Sequence, residues 1–236
     1  MEITELLNDA LMYPLQNVKA LVVYAVLGII LGISIAGTMA GIVAGVNANN
    51  FFALFGSGIL GIIVALFIGF VITGYQLDII KYGIQKNYDA PEIDLKRQFI
   101  NGVKFLVVVF IYMIIPILIS AILALIFQQW IVIIVTVILS ILFSLALLMA
   151  ECRLAKTEEL SHALAIQEAV ADIPKVGIVN IVVLVVIIAI MNLIVSFIGG
   201  SISQWNVIVG GLIQGILGIY LVFFTGRATG LLYSEI

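Results

Sequence analysis

Asn192 and Gln214 are the amides set deepest in apolar sequence, in the runs IIAIMNLIVSF and GGLIQGILG. Counted from the same end of their segments, they fall at similar depths. A primary amide offers donors and an acceptor oxygen. Two amides at one level can therefore satisfy each other inside hydrocarbon, for about 0.6–2 kcal/mol. The same two around a water-filled cavity would instead hold a solute. Hydrogen-bonded packing is the expectation, with a solute site as its rival.

Asp78 and Arg227 form a second candidate pair. Each follows an apolar run near one interface, where a salt bridge would close the end of a helix bundle. An exposed pair of this kind adds at most about 1 kcal/mol. Other reactive types are scarce. His162 and Cys152 are the only histidine and cysteine, which excludes an intrachain disulfide and any multi-cysteine metal site. No Gly-rich phosphate loop, HExxH or GxSxG occurs. An enzyme acting on lipid headgroups would need Asp78, Glu151 and His162 to converge at one interface. Proton relays and ion-coupled transporters place ionisable groups deep in the membrane, and the apolar runs contain none, although a Na⁺ site of carbonyls and hydroxyls remains open. No catalytic, metal or cofactor site is expected, and the chain reads as a non-enzyme.

The elements that must position these residues follow from composition. Of 236 residues, 64% are hydrophobic and 10% charged, whereas a globular domain is roughly half apolar and a quarter charged. The bilayer is therefore the expected solvent, and the net charge of −3 gives no case for nucleic acid. A membrane-crossing helix needs about 20 apolar residues. Six stretches qualify: 20–46, 51–73, 103–127, 130–150, 177–198 and 207–225. The first is longer than a signal-peptide core and has acidic rather than basic residues before it, so it reads as a retained span.

Charge is distributed unequally among the segments between spans. All thirteen acidic residues lie in 1–19, 74–102, 151–176 and the tail from Gly226, and the ten basic residues lie there or at the border. The other turns, 47–50, 128–129 and 199–206, would carry about three or four charges at that density; they carry none. The positive-inside rule places both termini and the two long loops in the cytoplasm. Trp130 and Trp205 flank the uncharged turns as interfacial anchors.

The expected fold is all-α: a polytopic membrane protein of one transmembrane domain over 1–236. Its six transmembrane helices form three hairpins, with amphipathic cytoplasmic helices leading into them. Ile3, Leu6, Leu7, Ala10 and Leu11 make the plainest amphipathic stripe, opposite Glu2, Glu5 and Asp9. A second such segment follows DAPEID, and a third spans 157–173. Each meets its span at a lysine: Lys19, Lys104 or Lys175. These junctions, with the related exits TGYQLDIIKY and TGRATGLLYS, suggest a threefold repeat of a two-span unit.

Small residues predict where the helices touch, because close backbone approach replaces the hydrophobic drive in lipid. The stripes are Gly28 and Gly32, then Gly37, Gly41 and Gly45 in the first span. Gly61, Ala65 and Gly69 follow in the second, and Gly211 and Gly215 in the sixth. Pro116 should disturb the third span, with Ser120 placed to satisfy a freed backbone group.

Four stretches resemble one family over nearly the whole chain: GYQLDIIKYG (74–83), DAPEID before FINGVKFLVV, ADIPKVG (171–177) and GRATGLLY near the end. The family is an archaeal group of integral membrane proteins known as domain of unknown function 4013. The resemblance implies an archaeal cell-membrane, multi-pass protein and carries over no catalytic or binding residue. The sequence reads best as a protein with an interaction, assembly or membrane-organising role. Its partners would be the lipid bilayer and a membrane protein or further copies of itself. A small-solute or ion permease is the alternative.

Overall fold

The computed structural model describes residues 2–48 and 51–236, with side chains at all of these except 51–55 and 57. Asn49 and Asn50, in the first uncharged turn, lie outside the described residues. The order is α1 Ile3–Gln16, α2 Val18–Asn47, α3 Phe51–Ile84, α4 Leu95–Leu123, α5 Gln129–Thr157, α6 Leu160–Ala163, α7 Ile166–Val176, α8 Ile178–Ser203 and α9 Val207–Tyr233. The fold is all-α, and six helices are long and apolar enough to cross a membrane: α2, α3 from Gly58 to Ile84, α4, α5, α8 and α9.

At the charged end most of these helices outrun the apolar stretches that announce them, whereas at the other end α4 stops at Leu123, four residues short of the stretch 103–127. α3 continues to Ile84 and α9 to Tyr233, while α4 already begins at Leu95. The segment after DAPEID is therefore the first two turns of α4 and not a separate helix. Hydropathy stops at the first charges, but the backbone has no reason to leave the helix while those charges find partners. Asp94 starts α4 by accepting the Arg97 N–H at 3.0 Å, and Asn206 caps α9 at the Ile208 and Val209 amides. Both are ordinary side-chain caps for the first free N–H groups. The other two lead-in segments do break from their spans, at Asn17 and at Gly177, whose φ of +98° suits glycine.

α3 and α9 form the centre. α9 packs on α1, α2, α3 and α8, and α3 packs on α2, α4, α5 and α9. In each, 33% of the most apolar window is buried, against 6% in α5. Burial concentrates at the charged end, where every residue of α9 from Gly226 to Tyr233 is buried. Towards the uncharged end α4, α5 and α8 present bare apolar side chains such as Ile122 and Phe197, the surface that lipid tails cover.

Glycine sets the crossings. A Cβ added at Gly28 or Gly32 would overlap the carbonyl oxygens of Gly215 or Gly211, so α2 and α9 meet backbone to backbone there. Gly61 receives Thr38 of α2, and Thr38 donates back to the Ser34 carbonyl at 2.7 Å. Gly74 lies on the Gln98 carbonyl and Gly102 on that of Phe70, which locks α3 to α4; Gly83 faces Gly230 across α3 and α9. Two expected contacts are absent: Gly37 and Gly69 have open space beside them. Gly37 lies nine residues beyond Gly28, where the helical turn carries it off the face that Gly28 and Gly32 share.

Candidate functional site

The charged end is tied together by three polar networks, each joining a peripheral segment to a central helix. In the first, Asp78 of α3 is only 3% exposed. Arg97 of α4 grips both its oxygens, Nη1 to Oδ1 and Nη2 to Oδ2, each at 3.0 Å. Such a fork is the strongest geometry for this pair. Gln98 donates to Asp78 Oδ2 at 3.0 Å and to the Glu92 carbonyl, which leaves its own oxygen to accept from the Tyr24 hydroxyl of α2. Glu158, just past α5, extends the network: Lys81 reaches its carboxylate at 2.7 Å and Arg97 lies 3.6 Å away. Lys104 donates to the Glu158 carbonyl at 2.7 Å. The Lys81 hydrogen bond holds the Glu158 carboxyl below the usual carboxylate range against partial burial, with Arg97 and Lys104 assisting.

The second network surrounds Arg227 of α9, which is fully buried. Its Nε donates to Asp9 Oδ1 at 2.7 Å and its Nη2 to Oδ2 at 3.3 Å, while Nη1 donates to the Asn87 carbonyl at 2.5 Å. The guanidinium also lies 5.0 Å from the Tyr13 ring centre and 4.8 Å from that of Tyr88, within cation–π range. Burial pushes the Tyr13 hydroxyl up, despite the nearby Arg227 charge, so Tyr13 stays neutral and donates to the Asp89 carbonyl at 3.1 Å.

The third centres on Asp172 of α7. Arg153 Nε donates to it at 2.6 Å, Lys175 at 2.9 Å and the Tyr233 hydroxyl at 2.8 Å, while Arg153 also pairs with Glu168. Burial opposes the charge on Asp172, but these donors outweigh it and hold the carboxyl below its ordinary range. This network fastens α7 to α5 and to the last residue of α9.

Against these networks the sequence candidates separate. Asp78 and Arg227 are both central, yet each pairs with another residue: Arg97 for the first, Asp9 for the second. Asn192 is exposed and donates to the Ile188 carbonyl of its own helix at 2.8 Å. Gln214 lies instead against Gly199, seven residues and about 10 Å along α8 from Asn192. Similar counts from the helix ends did not place the two amides on facing sides. Glu151 is 7% exposed and accepts from Gln76 at 3.2 Å, whereas His162 faces Glu159 at 3.5 Å on an exposed turn. Asp78, Glu151 and His162 thus have three different sets of partners. Ser120 donates to the Pro116 carbonyl at 2.7 Å and accepts from Thr136 of α5 at 2.7 Å, a link between α4 and α5 that sequence reading missed. It also missed Tyr24, Gln98 and Asp9. The signal for Gln98 was a polar residue on the stripe of α4 that also carries Asn101 and Gly102.

Towards the uncharged end a groove of about 780 Å³ runs between α2 and α9, from Gly28 and Ile219 to Asn47 and Val207. Its walls are apolar except for Asn47, Ser203 and Gln214. Among the described residues no group of three His, Cys, Asp or Glu side chains is placed to hold a metal.

A family model described as a protein of unknown function (DUF4013) matches residues 58–203. No curated protein matches the chain, and no solved structure does.

Proposed function

The chain belongs to the DUF4013 family, whose function is unknown, and from that premise we propose a non-enzymatic membrane protein with an interaction, assembly or membrane-organising role. The observation that carries this reading is the ion-paired charged end. Three ion-pair networks bind α1, α4 and α7 to α3, α5 and α9, and each buried charge in them is spent on a neighbour. A permease must rearrange at such an end, and leaving one member of a buried pair without its partner costs about 3–5 kcal/mol. A platform for another membrane protein, or for further copies of the chain, needs that end rigid. Charge asymmetry supports an orientation with both termini in the cytoplasm, and the family resemblance supports an archaeal cell membrane.

The test is reconstitution of the purified chain into sealed liposomes, followed by flux of protons, Na⁺, K⁺ and small neutral solutes. The proposal expects flux equal to that of empty liposomes. Saturable, protein-dependent flux that Gln214→Leu abolishes would instead make the groove a permeation site.

A further inference from the structure

We propose that the groove between α2 and α9 seats the hydrocarbon tail of a lipid alcohol, with Gln214 hydrogen-bonded to the lipid's hydroxyl. The inference is independent of the interaction role. From Gly28 to Asn47 the groove follows α2 for about 28 Å, and apolar side chains line it along that length, which suits an extended hydrocarbon tail. Both walls are in place without an occupant, because Gly28 and Gly32 already touch Gly215 and Gly211 at the floor. Ile35, Met39 and Val43, which line it on α2, are exposed, so the groove opens onto lipid tails.

Polarity selects the head. No lining side chain is charged, so an ionised headgroup entering the groove would lose its hydration with nothing to balance it. The polar atoms present are the amides of Asn47 and Gln214 and the hydroxyl of Ser203. Among the described residues no hydrogen bond reaches the Gln214 amide, about 10 Å into α9 from Val207. An amide without a partner is costly in hydrocarbon, and one hydroxyl can both donate to it and accept from it. A neutral alcohol on a long chain meets both requirements.

The experiment uses the full chain in phospholipid nanodiscs and a long-chain primary alcohol carrying a diazirine in its tail. The same chain ending in a carboxylate serves as comparison. Photolabel should concentrate on groove residues of α2 and α9, and the alcohol should label more than the carboxylate. A Cβ at Gly218 meets nothing within 4 Å, so Gly218→Leu should fold, fill the groove and cut labelling roughly tenfold, the equivalent of about 1.4 kcal/mol. Ala40→Phe should block it from the opposite wall. Gly37→Leu, in open space off the groove, should change nothing, and Gln214→Leu should remove the preference for alcohol while keeping the tail. Three results would overturn the proposal: label spread evenly over lipid-facing positions, carboxylate labelling equal to alcohol, or a groove cross-linked to a second copy of the chain.

Discussion

The Arg227 guanidinium, buried near the end of α9, donates to the Asp9 carboxylate in α1 across 218 residues of sequence. A peripheral helix whose Leu6, Ala10 and Tyr13 already pack into the core is thereby also latched by charge to the centre of the bundle. Removing the anion leaves a buried cation with only the Asn87 carbonyl and two aromatic rings. Asp9→Asn should lower stability in detergent by about 3–5 kcal/mol, the cost of breaking a buried pair. The double change Asp9→Leu with Arg227→Met should cost less than the sum of its parts. Additive losses would show that the two residues do not depend on one another.

The crossing of α3 and α4 gives a sharper packing test. Gly74 faces the Gln98 carbonyl, a backbone atom that cannot step aside, whereas Gly69 faces open space. Gly74→Ala should destabilise by about 1–3 kcal/mol through overpacking, and Gly69→Ala should stay within about 0.5 kcal/mol. Equal thermal shifts for the two variants would contradict this helix register.

Much of the fold was legible in the sequence, because uncharged apolar runs of about 20 residues are what a membrane-crossing helix requires. The contacts were only half legible. Gly28, Gly32, Gly61, Gly211 and Gly215 were found as small residues, but spacing alone also selected Gly37 and Gly69, which touch nothing. Asp78 and Arg227 were found by their place after apolar runs. Their partners, Arg97 and Asp9, were not, because the pairing depends on how segments far apart in sequence fold back at the charged end. The depth count that matched Asn192 to Gln214 failed because it carries no information about which face of a helix a residue occupies.

Acid should loosen two of the networks. Glu158 and Asp172 have carboxyls held below their ordinary values of 4.5 and 3.8. Their stabilisation is complete above those values and is lost as pH falls through the depressed folded ones. The contribution of these two carboxyls to thermal stability in detergent should therefore be constant from pH 7 to about 5 and decline below about 4. Glu158→Gln should lower the plateau and shrink that decline. An unchanged slope in the variant would remove Glu158 from the explanation.

Orientation can be tested at two exposed residues, Gln204 just after α8 and Gln167 near the start of α7. In a Cys152→Ala background, Gln204→Cys should react with an impermeant thiol reagent added to intact cells, and Gln167→Cys only after the membrane is opened. The reverse pattern would invert the chain in the membrane, and labelling of both from outside would break the six-span count.

The most direct measurement of whether the bundle is closed at its charged end uses the single native thiol. Cys152 has no exposed surface, and its sulfur lies 4.0 Å from the Thr229 carbonyl between α5 and α9. Packed between these helices, the thiol presents no surface to a water-borne reagent. In detergent-free membranes opened to both sides, a charged thiol reagent should leave Cys152 unmodified for as long as the protein is folded, and should react fully once it is denatured. Rapid modification of the folded protein would show water reaching the junction of α5 and α9, contradicting a closed bundle and favouring a protein that opens.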